Sequence, residues 1–185
     1  MQHDHGVDAR VAELVAKDEI RDLAMAYAWA VDDHDIDTVV GTFTADATFD
    51  VGGEIACGHQ EIRQSFVVSM GRFHTMLHTP DTHLVTIESD DRATGRASGH
   101  AELALRDTLM VTAYRYRDRY ARVDGRWLFS ERHVTFMYAV PVESMGASFG
   151  TRARIRWPQN RYRDADYPES APTWNTFRDN DTTDR

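Results

Sequence analysis

The spacing of apolar side chains changes once along this chain of 185 residues, close to residue 74. Residues 8–31 carry apolar side chains at intervals of three and four, which is the period of an amphipathic α-helix. From residue 74 onward the period becomes two, in long segments rich in Val, Thr, Tyr and Phe, which is typical of β-strands. Helices followed by strands predict an α+β domain, in which the helices pack on one face of a sheet.

Three helices are predicted in the first part of the chain. The first has an apolar face made of Val11, Leu14, Val15, Ile20, Leu23, Ala24, Tyr27 and Val31. Asp35 is placed to cap a second helix, "IDTVVGTF", because its side-chain oxygen can accept from a free amide in the first turn. A short strand, "ATFDVGG", then leads into the third helix, "GHQEIRQSFVVSMGRF".

About four long antiparallel strands are predicted after the helices. Their segments are "LVTIES", "ATGRASGHAELALRD", "LMVTAYRYRDRYARV" and "RWLFSERHVTFMYAV". Asp124 and Gly125 separate the last two, and an Asp-Gly pair between strands is a strong hairpin signal. We therefore expect a cone-shaped α+β barrel, with about three N-terminal helices packed on a curved, mainly antiparallel sheet and a pocket between the two layers.

The strand pattern does not reach the end of the chain. We expect a flexible N-terminus over residues 1–7, one domain over residues 8–144, and a C-terminal tail over residues 145–185. The tail is polar, contains proline and has no period, so we expect order only where Trp157 and Trp174 find a surface. Such a tail could cover the pocket mouth or a neighbouring subunit.

Composition argues against several classes of partner. The net charge is -9, and no block of Lys or Arg is flanked by aromatic residues, which argues against a nucleic-acid partner. No run approaches the roughly 18 apolar residues that a membrane helix needs. The only cysteine is Cys57 and the first residues show no leader pattern, so a cytoplasmic location is expected.

Three of the nine histidines lie within the stretch "FHTMLHTPDTH", residues 73–83. His74, His78 and His83 lack the helical spacing and the glutamate of the familiar zinc-hydrolase motif, so we predict neither a metal site nor another cofactor. His83 follows a proline and is expected in a loop or at the entry to a strand. His78 is either an ordinary strand residue with satisfied hydrogen bonds or a general base.

An acidic stretch, "DDHD" over residues 32–35, follows the first helix. Asp32 stands at the helix C-terminus, where the macrodipole disfavours a negative charge by a few tenths to about 1 kcal/mol. It is either part of a solvated acidic turn or a carboxylate that holds a histidine inside a pocket. The residues alone leave both interpretations open.

Four segments together resemble a known superfamily: "RDLAMAYAWAVDDHDIDTVVGTFTADATFDVGG", "GHQEIRQSF", "FHTMLH" and "YARVDGRWLFSERHV". They are similar to the SnoaL-like, NTF2-like superfamily, and within it to the dehydratase branch of scytalone dehydratase, bile acid 7α-dehydratase and hexachlorocyclohexane dehydrochlorinase. The resemblance covers about residues 8–140 and implies the cone-shaped α+β fold. It specifies the fold more narrowly than the activity, because one fold supports many functions.

The dehydratase branch also implies a catalytic pair, made of an aspartate at the end of the first helix and a histidine on the strand after the third helix. Asp32 and His78 occupy these positions. Tyr27 matches a tyrosine that lies near the substrate, and Arg132 matches an arginine that faces the cavity. These four residues form the candidate site that the resemblance implies.

The resemblance implies a cofactor-independent lyase that eliminates water, or another leaving group such as halide, from an apolar cyclic molecule of steroid, terpenoid or aromatic polyketide type. His78 would act as the base, since neutral imidazole has an unperturbed pKa of about 6.5, and Asp32 would orient it. A polyketide cyclase or a ketosteroid-type isomerase would use the same pair for proton transfer alone, and a binding or accessory subunit would not use it. The dehydratases are trimers, so we expect a homo-oligomer with its contact at the strand over residues 108–122.

Several polar residues keep two interpretations. Tyr27 can be a core residue, and Arg132 can pair with a carboxylate across the sheet. The run "RYRDRY", residues 115–120, is expected to be a solvated or interface strand face. Epoxide hydrolysis on this fold uses two aspartates and an arginine around a water. No second aspartate is expected beside Arg132, so this activity ranks low. The roles of His74, His100 and Glu102 stay open.

Overall fold

The computed structural model describes residues 4–156 and 162–181. The helices of the first part of the chain are α1 (Asp4–Asp32), α2 (Ile36–Gly41) and α3 (Gly58–Met70). The strands are β1 (Phe43–Val51), β2 (Glu54–Cys57), β3 (Thr75–Ile87), β4 (Arg92–Leu105), β5 (Thr108–Val123) and β6 (Arg126–Pro141). The fold class is α+β, as predicted.

Six strands of the described residues form one curved, unclosed sheet in the order β2-β1-β6-β5-β4-β3. β1 pairs with β6 in parallel, and the other neighbours pair antiparallel. β5 and β6 are joined through Asp124 and Gly125, whose φ angles of 50° and 77° are those of a tight hairpin turn. The predicted mainly antiparallel sheet and its last hairpin are therefore confirmed.

β3 is longer than the predicted segment "LVTIES", since it begins at Thr75 and passes through Pro80. A proline is tolerated here because β3 lies at the edge of the sheet and its pairing with β4 shifts between Pro80 and Thr82. His78 and His83 therefore both lie within the strand. The expectation that His83 belongs to a loop or a strand entry is wrong.

α1 begins at Asp4, inside the expected flexible N-terminus, of which residues 1–3 lie outside the described residues. Its second half packs on the sheet as expected, with Ala16, Ile20, Ala24, Tyr27, Ala28, Ala30 and Val31 buried. Val11, Leu14 and Val15, which belong to the predicted apolar face, are instead at least half exposed, so this part of the face does not pack on the sheet. Periodicity indicates which residues share a helix face, but not whether another element lies against that face. None of the described helices, α1 included, is long and apolar enough to cross a membrane.

The core between the helices and the sheet contains an aromatic cluster centred on Tyr27 of α1. The Tyr27 ring meets Phe43, Phe66 and Phe129 edge to face, at centroid distances of 6.0, 6.0 and 5.7 Å. Such pairs contribute about 0.5–1.5 kcal/mol each beyond the burial of apolar area. Because Tyr27 lies little more than one turn before the end of α1, the cluster also fixes the position of Asp32.

The C-terminal tail is packed on the domain, contrary to the expectation of a largely unstructured segment. A 3-10 turn (Val142–Ser144) leads into the tail, which forms α4 (Met145–Ser148) and α5 (Pro172–Asp181). Arg154 is buried and pairs with both carboxylate oxygens of Glu169 at 2.8 Å, and the fully buried Ile155 bridges Ala139 of β6. Isolated contacts of this kind produce no periodic pattern in the sequence, so they could not be predicted from it.

The described part of the tail is held by other residues than the tryptophans named in the prediction. Trp174 lies on α5 and is 37% exposed, and Trp157 lies outside the described residues. The buried ion pair of Arg154 and the apolar side chain of Ile155 hold the segment instead.

Candidate active site

Asp32, the last residue of α1, lies against His78 of β3. His78 Nδ1 is 2.6 Å from Asp32 Oδ1, and the backbone N–H of His78 donates to the two carboxylate oxygens at 3.1 and 2.9 Å. A carboxylate only accepts hydrogen bonds, so the proton of the neutral imidazole lies on Nδ1 and Nε2 carries the lone pair. The pair has the geometry of a histidine base oriented by a carboxylate.

Both side chains of this pair are shielded, with 15% of His78 and 18% of Asp32 exposed. The helix dipole disfavours a carboxylate at the C-terminus of α1, and the donors of His78 offset this cost. Asp33, next in the chain, points to solvent. Of the two interpretations of "DDHD", the geometry matches a carboxylate that holds a histidine.

A cavity of about 500 Å³ opens beside His78, between the helices and the sheet. Most of its lining is apolar and includes Val31, Phe49, Phe66, Met76, Leu103 and Phe136. Pockets for small molecules commonly measure roughly 300–1,000 Å³ and combine apolar walls with a few polar groups. We call this space the main cavity, and its size and lining suit a hydrophobic small molecule placed next to His78.

The C-terminal tail reaches the main cavity through Arg163, which lines it. Arg163 pairs with Asp166 at 2.8 Å, and the other oxygen of Asp166 accepts from the backbone N–H of Phe136 at 2.8 Å. The tail residue is therefore held on β6 at the edge of the cavity.

Three tyrosines share the cavity wall with His78: Tyr27 of α1 and Tyr114 and Tyr116 of β5. Burial is the main cause that raises the pKa of each of the three above its ordinary value, so their hydroxyl groups stay protonated near neutral pH. The ring of Tyr114 lies 5.9 Å from that of His78. Tyr27 is thus both a core residue and a cavity residue, and these hydroxyls can donate to an oxygen atom of a ligand.

Arg132 is fully buried and paired with Asp118, its cross-strand neighbour on β5. Nε and Nη2 of Arg132 donate to Oδ1 and Oδ2 of Asp118 at 3.0 and 2.9 Å. The guanidinium also lies over the rings of Tyr27, Tyr116 and Phe129, at 4.3, 3.9 and 3.8 Å from their centroids. Burial alone would lower the pKa of Arg132, but Asp118, with smaller contributions from Tyr116 and Tyr27, raises the pKa overall, so the charge is retained.

The expectation that no second aspartate lies beside Arg132 is wrong, because Asp118 is buried against it. Asp118 also accepts from the hydroxyl of Tyr120 at 2.9 Å. With Arg132 and Tyr120 as donors, its oxygens are committed, and it is poorly placed to activate a water for epoxide hydrolysis.

The run "RYRDRY" is a solvated face only in part. Arg115, Arg117 and Arg119 are exposed, as expected, whereas at the alternate positions Asp118 and Tyr120 are buried and Tyr116 is half-buried. The inward face was not predicted from the arginines, although the alternation of side chains along a strand indicates that every second residue points inward.

The remaining candidate histidines lie away from the main cavity. His74, His100 and Glu102 are exposed, and His100 pairs with Asp81 at 2.7 Å. No group of three side chains suited to hold a metal ion occurs in the described part of the chain. The three histidines of "FHTMLHTPDTH" therefore have different surroundings, and His78 is the one that lines the main cavity.

The protein has the cone-shaped α+β fold of the NTF2-like proteins, with a cavity between the helices and the sheet, as predicted. The chain belongs to the SnoaL-like domain family, which matches residues 12–133. None of the curated proteins matches the chain in sequence.

Solved structures with this fold include a candidate scytalone dehydratase from Novosphingobium aromaticivorans, with a TM-score of 0.68 and 18% identity over 71% of this chain and 91% of that one. The hexachlorocyclohexane dehydrochlorinase LinA-type3 from Novosphingobium barchaimii has a TM-score of 0.67 and 22% identity over 72% of this chain and 94% of its own. A candidate aromatic ring hydroxylase from Novosphingobium aromaticivorans has a TM-score of 0.62 and 28% identity, over 68% and 92%. The first two likenesses establish a shared fold.

Proposed function

We propose that the protein is a cofactor-independent lyase that eliminates water from an apolar cyclic small molecule, of steroid, terpenoid or aromatic polyketide type. The observation that carries this proposal is the 2.6 Å contact between Asp32 and His78 at the wall of the apolar main cavity. A pure binding or accessory subunit has no need of a shielded carboxylate–histidine pair beside its ligand.

The proposed reaction uses His78 twice. Nε2 takes a proton from a carbon next to a carbonyl or ring system, and Asp32 stabilises the imidazolium that forms. The electron pair of the broken C–H bond forms the C=C bond while the C–O bond breaks, and the imidazolium returns its proton to the departing hydroxyl. The products are an alkene and one water, and His78 is again neutral.

Tyr27 and Tyr114 are proposed to hold the substrate oxygen on which negative charge develops. Both side chains line the main cavity beside His78, and their hydroxyls remain protonated because burial raises the pKa of both. Arg132 is proposed to act through Tyr27, since the guanidinium lies 4.3 Å from the centre of the Tyr27 ring. Donors placed where charge develops stabilise the transition state more than the ground state.

The proposal is tested with a panel of hydrophobic cyclic β-hydroxy ketones, in which elimination gives an enone with a characteristic ultraviolet absorbance. We expect at least one member to lose the mass of one water in the presence of the protein. In D₂O, an isomerase or cyclase would instead give a product that gains deuterium on carbon without losing water. If no member of the panel undergoes elimination or deuterium exchange, that result contradicts an enzymatic role for the pair.

We also propose a homo-oligomer, because α1 exposes apolar side chains that a monomer would leave in water. Val11, Leu14 and Val15, which lie within about one helical turn of one another, are 52%, 63% and 50% exposed. Clustered exposed apolar residues commonly mark an interface. Sedimentation should give a multiple of the chain mass of 21.1 kDa, and a Leu14→Glu variant should lower it. A monomer at all accessible concentrations would contradict the proposal.

A further inference from the structure

A second cavity, of about 310 Å³, lies on the other side of the tyrosine wall, between α1 and strands β3 and β4. The side chains that line both cavities are Tyr27, His78, Tyr114 and Tyr116. The second cavity extends from a buried end at Arg132 to an exposed rim that includes Met25 and Thr82. It therefore forms a passage from the neighbourhood of His78 to the protein surface.

The buried end of this passage contains a chain of hydrogen bonds with a defined direction. Asp118 is the carboxylate partner of the charged Arg132, so the hydroxyl of Tyr120 donates to Asp118, at 2.9 Å. The oxygen of Tyr120 must then accept from His83 Nε2, at 2.9 Å. His83 therefore carries its proton on Nε2, and its Nδ1 is left with a lone pair that can only accept. Burial lowers the pKa of His83, which keeps the ring neutral.

Two buried atoms at this passage lack hydrogen-bond partners among the described residues: His83 Nδ1 and Arg132 Nη1. The first needs a donor and the second needs an acceptor. A buried polar group without a partner is unfavourable by about 1–3 kcal/mol, so an occupant that satisfies both is strongly favoured. Water and hydroxyl groups both donate and accept. A halide ion would satisfy Arg132 but would face the lone pair of His83.

We infer that the second cavity is the exit passage for the water released by the elimination, and that the acceptor on His83 selects a hydroxyl over a halide as the leaving group. This inference rests on the proposed function. As the imidazolium of His78 returns its proton to the hydroxyl, the new water lies next to the wall that both cavities share. It can then move to Arg132 and His83 and on to the rim, without crossing the apolar cavity that holds the alkene.

The water site is tested by crystallography with bromide as the probe, because bromide is located by its anomalous scattering. In crystals of the wild-type protein soaked in sodium bromide, we expect ordered water on His83 Nδ1 and Arg132 Nη1 and no bromide in the passage. His83→Phe removes the acceptor, and Tyr120→Phe frees His83 to carry its proton on Nδ1. Both variants should admit bromide beside Arg132. Bromide in the wild-type passage, or its absence from both folded variants, would overturn the inference.

The selectivity is tested with a matched pair of panel substrates that differ only in a hydroxyl or a chloride leaving group. The ratio of kcat/KM for the hydroxyl substrate to that for the chloride substrate should fall at least tenfold in His83→Phe. His74→Phe is the matched control, because His74 is exposed and lines neither cavity. An unchanged ratio in His83→Phe would contradict the assigned selectivity.

The two proposals fail in different ways. If the wild-type protein excludes bromide and holds the two waters but converts no substrate, the lyase assignment fails and the hydroxyl site stands. If it dehydrates a panel member but bromide occupies the passage, the lyase assignment stands and the inference about the exit passage fails.

Discussion

Asp32→Asn is expected to lower kcat for the true substrate by about 10³–10⁴-fold, with little loss of stability, as the same exchange does in other carboxylate–histidine pairs. The amide oxygen of Asn can still accept from the backbone N–H of His78, so the local geometry is kept. Its NH₂ group, however, donates to Nδ1 of His78 and forces the proton onto Nε2. The imidazole then presents a donor where the reaction needs a base.

The measurement for this prediction is the steady-state rate with a panel substrate, together with thermal unfolding followed by circular dichroism. His78→Ala should lose turnover to a similar extent, since it removes the base itself. Asp50→Asn is a matched control, because Asp50 pairs with His133 Nδ1 at 2.9 Å in the same way, and neither residue lines the main cavity. If Asp32→Asn and His78→Ala both keep the wild-type rate, the role assigned to the pair is wrong.

The helices and the late strands could be predicted because each segment carries its own period. The hairpin between β5 and β6 could be predicted for a similar reason, since Asp124 and Gly125 accept the positive φ angles of the turn. The position of the polypeptide after β6 could not, because it depends on the single anchors Arg154 and Ile155. The same limit applies to Val11, whose helix face is correct but which is 52% exposed because none of the described elements covers it.

The contact between Asp32 and His78 was a candidate because of where each residue lies in its element and because of the resemblance to the dehydratases. Hydrophobic periodicity does not indicate which helix end lies against which strand. The residues alone therefore did not decide whether Asp32 and His78 are in contact. The structure places the two side chains in contact through the aromatic cluster around Tyr27, which fixes α1 on the sheet.

The pairing of Asp118 with Arg132 could not be predicted because it depends on an irregularity in the hairpin. The register that begins at Val123 and Arg126 would, if continued, place Glu131 opposite Asp118, with two like charges face to face. A shift of register between Arg119 and Tyr120 instead places Arg132 opposite Asp118. A bulge adds one residue to one strand and has no reliable sequence signal, so the charge partner was missed.

Asp118→Asn is expected to have the largest effect on stability, because it leaves the charge of Arg132 buried with a neutral partner. Removing one member of a buried ion pair typically decreases the free energy of unfolding by about 3–5 kcal/mol. For a chain of this size, 1 kcal/mol corresponds to a shift of about 2–4 °C in Tm, so Tm should fall by roughly 6–20 °C. Thermal and urea unfolding followed by circular dichroism measure both quantities.

Two further variants separate the buried charge from other causes of instability. Glu131→Gln breaks the exposed pair with Arg119, at 3.3 Å, and should change the free energy of unfolding by less than about 1 kcal/mol. Asp118→Leu combined with Arg132→Met removes both charges, and it should recover most of the stability that Asp118→Asn loses, because an apolar pair needs no compensation. If the double variant is as unstable as Asp118→Asn, the cost arises from lost packing around Tyr27 and Tyr116 rather than from an uncompensated guanidinium.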